Sequence, residues 1–127
     1  MQYLLDTNVI IDYLQSKLPT SEMQFVSSVV DDISVVSVIS KMETLGFNFP
    51  LIKEQTLMET FVNYSAVLDI DERIVKQTIL IKKAKRIKLP DAIIVATALV
   101  NHLTLITRNI SDFDGVEGLK IINPHVL

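Results

Sequence analysis

Asp6 closes the apolar run Tyr3-Leu4-Leu5 and opens Thr7-Asn8-Val9-Ile10-Ile11, which puts a carboxylate where a buried strand turns into a helix. In open parallel α/β sheets, ligands bind at that edge. Asp91 stands before the apolar stretch Ala92-Ile93-Ile94, and Asp112 follows Asn109-Ile110-Ser111 and precedes Phe113. Taken singly, these acids have structural explanations: Asp6 and Asp91 as helix N-caps, Asp112 as a turn residue bonding its own backbone. Glu43 is harder to place in that way. Ile39, Met42 and Glu43 stand at i, i+3 and i+4, which sets the carboxylate along an apolar stripe, or at that stripe's solvent edge if the helix is short. A buried carboxylate without a counter-charge is costly or takes up a proton, and a bound cation removes both problems.

Jointly the acids say more than they do singly. Asp6 and Asp112 come after strands, Asp91 starts a helix and Glu43 faces inward, positions that can converge at one sheet edge. Three or four oxygen donors with no local His or Cys ligand pattern suit a hard octahedral cation, Mg²⁺ or Mn²⁺, rather than zinc. His102 and His125 have no partner at ligand or base spacing and read as structural or exposed.

The elements that must position these acids follow from period and punctuation. Strands are expected over Gln2 to Asp6, Ile33 to Val38, Ala66 to Leu68, Leu103 to Thr107 and Leu119 to Ile122. Between them, helical spacing covers Asn8 to Leu14, Ser21 to Val30, Ile39 to Leu45, Lys53 to Tyr64, Asp71 to Arg86 and Ala92 to Val100. Pro19, Gly46 and the Leu89-Pro90-Asp91 step punctuate the chain, and Asp69 with Glu72 has capping-box spacing. Alternating strands and helices imply a three-layer α/β/α fold around a mainly parallel sheet of about five short strands. At 127 residues, with no repeat or linker, the chain reads as a single domain over residues 1–127.

Composition narrows the function classes. The absence of cysteine excludes disulfides, thiolate nucleophiles and Cys-based zinc sites. The N-terminus lacks a basic leader region and the apolar run Ala92 to Val100 is too short to span a bilayer, so no membrane association and a cytoplasmic location are expected. A net charge of -3 excludes a protein that wraps a polyanion with its whole surface. Nucleic-acid contact must then be local, and Lys82, Lys83, Lys85, Arg86 and Lys88 offer one patch, if they are not simply a solvated helix face.

The strings Leu4-Leu5-Asp6-Thr7-Asn8-Val9-Ile10-Ile11-Asp12, Ser37-Val38-Ile39 leading to Glu43, Leu89-Pro90-Asp91-Ala92-Ile93-Ile94-Val95-Ala96-Thr97-Ala98, and Thr107-Arg108-Asn109 followed by Asp112-Phe113 resemble the PIN-domain family, and within it the VapC-type toxin ribonucleases. The resemblance covers essentially the whole chain. It implies a metal-dependent endoribonuclease, the toxin of a toxin–antitoxin pair, with RNA as substrate, Mg²⁺ (or Mn²⁺) as cofactor, a cognate antitoxin as partner and a homodimeric state. It carries the family's acidic site onto Asp6, Glu43, Asp91 and Asp112, which serve as both metal ligands and catalytic groups, and places Thr7, Asn8 and Thr107 beside them. The family's acid immediately before Phe selects Asp112 over Asp114. The chain departs from the pattern at Ser40-Lys41-Met42 and between Gly46 and Leu51.

Two other classes were weighed. A noncatalytic PIN-like module would bind RNA or protein, keep the acids as caps and turns, and bind no Mg²⁺ or Mn²⁺. A phosphoryl-transfer α/β domain also sets Asp after its first strand, but a haloacid-dehalogenase-type pattern needs an acid at position 8, where this chain has Asn8.

Overall fold

The computed structural model describes residues 2–124. Five short strands alternate with helices in the order β1 (Tyr3–Leu5), α1 (Thr7–Leu14), α2 (Thr20–Ile33), β2 (Val35–Ser37), α3 (Val38–Leu45), α4 (Ile52–Tyr64), β3 (Ala66–Leu68), α5 (Glu72–Ala84), α6 (Leu89–Val100), β4 (Thr104–Ile106), α7 (Ile110–Phe113) and β5 (Ile121–Ile122). His125 lies outside the described residues, so its reading goes untested.

Every strand pairing is parallel. The expected single sheet, however, is split into ladders ordered β1-β4-β5 and β2-β3. β2 lies beside β1 without sharing a ladder, and side-chain packing spans the gap. Because successive strand residues point to opposite faces, each strand feeds two cores. Leu4, Val35 and Leu105 pack with α5, α6 and Phe113 on one face; Leu5, Val36 and Ile106 pack with α1, α2 and α4 on the other. These are the three expected layers.

Chain connections run from β1 toward β2, whereas β4 returns to the opposite side of β1. The carboxyl ends of β1 and β4 therefore flank a switch point, the place where such sheets leave a crevice. Asp6 N donates to Ile106 O at 3.0 Å, closing the ladder at that crevice.

Helix starts explain several boundaries. The Asp6 side chain caps α1, and Ser37 caps α3 by accepting from Ser40 N at 3.0 Å. At α5 the cap is Asp71, which accepts from Ile74 N at 3.0 Å, so the Asp69 and Glu72 spacing does not mark a capping box. Pro90 does not break the chain before α6; the helix already begins at Leu89, and proline is tolerated in a first turn whose N–H groups lack partners. Asp91 is consequently a first-turn residue rather than an N-cap. No helix among the described residues is long and apolar enough to cross a membrane.

Candidate active site

Asp6, Glu43, Asp91 and Asp112 come from four separate elements and line one cleft of about 400 Å³ at the carboxyl ends of β1 and β4. Thr7, Asn8, Asn109 and the segment Arg86-Ile87-Lys88 complete its walls. Asp114, the C-cap of α7, lies outside it.

Asp6 is the buried member, 5% exposed. Its Oδ1 accepts from Thr7 N at 2.9 Å and its Oδ2 from the Thr107 hydroxyl at 2.7 Å. Burial raises its pKa above the ordinary carboxylate value of 3.8, and Asp91 and Glu43 add like-charge repulsion, while the two hydrogen bonds oppose the shift. Asp91, half-buried in the first turn of α6, is also raised by desolvation and by its neighbours Glu43 and Asp112, with Lys88 pulling the other way. Its place at a helix N-terminus favours negative charge.

Glu43 and Asp112 are the exposed members. The expected inward placement of Glu43 is corrected: α3 turns Ser40 and Thr44 to the interior, Met42 is 57% exposed, and Glu43 stands at the cleft's rim. It is nonetheless fixed there. The Thr7 hydroxyl donates to Glu43 Oε1 at 2.7 Å, and having a single proton it must accept from Ser40 Oγ, 2.9 Å away. Asp112 sits on the one-turn helix α7 rather than in a plain turn, and Asn109 Nδ2 donates to its Oδ2 at 2.7 Å. Phe113, 1% exposed, anchors that turn in the core.

Thr7 and Thr107 thus touch the acids directly, whereas Asn8 lines the cleft with no hydrogen bond of its side chain among the described residues. Two contributors escaped the sequence reading. Ser40, fully buried, backs Thr7; its only sequence signal was the Ser37-x-x-Ser40 spacing at a helix start, within a stretch that departs from the family pattern. Asn109 holds Asp112 and in turn donates its backbone N–H to Thr107 Oγ1 at 3.0 Å.

The basic run does not form a helix face. α5 ends at Ala84, so Lys85 to Lys88 form a loop leading to α6, with Arg86 and Lys88 on the wall of the cleft. Lys82 Nζ donates to Ile87 O at 2.6 Å and braces this loop. Arg108 does not face the acids: it pairs with Asp12 in a neighbouring pocket. His102 is exposed just beyond the end of α6.

The donor set fits a hard cation. All four candidate ligands are oxygen donors, two are held above the ordinary carboxylate range by burial and mutual repulsion, and none forms an ion pair among the described residues. No three Asp, Glu or His side chains there form a ready-made cage.

A family model described as the PIN domain matches residues 3–119. The chain belongs to the PIN-domain family. This PIN domain is similar to a toxin–antitoxin complex from Klebsiella pneumoniae (28% identity over 97% of this chain and 98% of that one, TM-score 0.79). It is likewise similar to VapBC-1 from nontypeable Haemophilus influenzae (27% identity, 98% of each chain, TM-score 0.76). A third likeness is to FitAcB from Neisseria gonorrhoeae (25% identity, 99% and 100%, TM-score 0.80). A comparison with curated proteins returned no match.

Proposed function

We propose that this PIN domain, a single unit over residues 1–127, is a metal-dependent endoribonuclease of VapC type that hydrolyses RNA phosphodiester bonds. The observation that carries the reading is the convergence of Asp6, Glu43, Asp91 and Asp112, from segments far apart in sequence, into one cleft where none of them forms an ion pair among the described residues. Asp6 and Asp91 are assigned as the anchors for Mg²⁺ (or Mn²⁺), with Glu43 and Asp112 assisting from the rim. When bound, such an ion supplies a Lewis acid for a nonbridging phosphate oxygen and a source of nucleophilic water at neutral pH.

The chain's own groups do the rest. Thr107 and the Thr7 amide hold the Asp6 carboxylate in one orientation, so little of it is left to reorganise. Glu43 Oε1 is engaged by Thr7, which leaves Oε2 as the acceptor for a water proton. Asp112 Oδ2 is engaged by Asn109, leaving Oδ1 without a hydrogen bond among the described residues. Arg86 and Lys88, which line the same cleft, are placed to offset phosphate charge.

The toxin role, a cognate antitoxin, a homodimer and a cytoplasmic location complete the proposal. Their support is the toxin–antitoxin context of the similar structures and two sets of uncovered apolar side chains. One is on α4, with Ile52 at 87%, Leu57 at 50% and Tyr64 at 87% exposure; the other is Val75, Ile79 and Leu80 on α5. The competing reading, a noncatalytic module that keeps the acids as caps and turns, draws on Asp6 capping α1 and Asp91 standing in the first turn of α6. Calorimetric titration with Mn²⁺ and an RNA cleavage assay separate the two. Wild type is expected to bind Mn²⁺ and cut RNA, and Asp6→Asn with Asp91→Asn to lose both while staying folded; cleavage that persists in that variant would falsify the assignment.

A further inference from the structure

The catalytic cleft does not end at the acids. Asn8 and Asn109 line it and also line a second pocket of about 620 Å³, which contains Phe47, Arg108, Asp12 and Gln15. The two spaces therefore adjoin at these asparagines. Phe47 is 39% exposed, a partly uncovered aromatic ring on the lining of this second pocket. It is not loose: its ring meets Phe49 edge-on at 4.7 Å and 68°, and its amide donates to Thr44 O at 3.3 Å.

Arg108 is fixed too. Its guanidinium is bound by Asp12, whose side chain is only 15% exposed, and this pairing neutralises the charge that a phosphate clamp would need. What remains is a planar guanidinium, 45% exposed and tethered through one nitrogen, with Lys17 on the same lining as the cation left for phosphate. Around it stand the amide groups of Asn8 and Gln15, neither of which has a side-chain hydrogen bond among the described residues.

An aromatic ring, a planar guanidinium and amides with unused hydrogen-bonding groups are what single-stranded RNA recognition uses: flat groups to stack an unpaired base, and donor–acceptor groups to read its edge. We propose that the Phe47–Arg108 pocket is a nucleobase subsite that selects the nucleotide next to the scissile phosphate. This inference rests on the ribonuclease reading above. It assigns sequence preference to Phe47 and Arg108, residues outside the acidic cleft, and leaves metal binding to the acids.

The chain contains no tryptophan, so Phe47→Trp supplies a single indole as a reporter. Metal-free Phe47→Trp protein, titrated with short single-stranded homopolymers of A, C, G and U, is expected to show quenching with an affinity that differs among the four. Phe47→Ala is expected to weaken RNA binding by roughly 5- to 150-fold. It should keep the wild-type Mn²⁺ affinity and flatten the nucleotide preference beside the cut in a random-sequence RNA. Arg108→Lys, which keeps the charge and loses the plane, should flatten that preference as well. No quenching by any homopolymer, or an unchanged cleavage pattern in both variants, overturns the subsite. Quenching by a protein partner with RNA inert overturns it in favour of protein docking. If wild type cuts no RNA at all, the nuclease reading falls by itself, and the quenching experiment still decides what the pocket holds.

Discussion

Asp6 serves two ends with one carboxylate, capping α1 through Oδ1 and forming the floor of the cleft. Its burial beside Asp91 and Glu43 makes it a destabilising charge, which the cation proposed above would offset. Asp6→Asn keeps an oxygen for the Thr7 amide and removes the charge, so its melting temperature in EDTA should equal or exceed that of wild type. The rise in melting temperature that Mn²⁺ gives wild type should vanish in the variant. The pH dependence has a definite sign. Asp6 and Asp91 hold their protons to higher pH in the folded state than the ordinary value of 3.8, so metal-free stability is lost as pH rises from 3.8 through their folded-state pKa values and regained on acidification. Asp71, exposed and lowered by Arg73, contributes in the opposite sense, and only as pH falls below 3.8. Urea midpoints in EDTA should increase from neutral pH toward pH 4, and the trend should reverse with saturating Mn²⁺, because protons then compete with the ion.

At the scale of elements, two N-caps make a controlled comparison. Ser37 starts α3, which carries Ser40 and Glu43 to the cleft, whereas Asp71 starts α5 away from it. Ser37→Ala and Asp71→Ala should each cost about 1 kcal/mol of stability by urea denaturation. Only the Ser37 variant should also weaken Mn²⁺ binding in calorimetry. Much of this level was legible in the chain: apolar runs marked all five strands, and the β-branched content of Ile33 to Val38 placed β2 to within a few residues. The misjudged details share a cause. Pro90 and Asp91 carry the same local signals whether a helix starts at residue 89 or 92, and the choice is made by Ala92, Ile94 and Val95 packing into the core. Glu43 stands on an apolar stripe by spacing, but only the seating of a short helix against its neighbours decides which of its faces is covered. The hydroxyl relay from Ser40 through Thr7 depends on residues 33 apart, beyond any local pattern.

For the molecule as a whole, five of the twelve basic residues are gathered in one run beside the cleft. The net charge is -3, yet Lys82, Lys83, Lys85, Arg86 and Lys88 adjoin it and form no ion pair among the described residues. RNA affinity measured in a cleavage-dead background should therefore fall with added salt. Replacing Arg86 and Lys88 with Gln should flatten the slope of log K against log salt by about 1.4, given roughly 0.7 per phosphate contact for single strands. Lys82→Gln should act differently, loosening the loop it braces through Ile87 O and removing little of the salt dependence. Light scattering is expected to report a dimer, and a monomer at micromolar concentration would count against that part of the proposal.

The hydrogen bond from Thr107 to Asp6 joins residues 101 positions apart, and Asp112 comes later still. During synthesis the first strand leaves the ribosome long before the fourth, so the floor of the cleft waits for its second wall while most of the chain is being made. A nascent polypeptide of this kind carries no complete acidic cleft: Asp91, Thr107 and Asp112 join Asp6 only when the last third of the sequence has emerged and folded back onto its beginning.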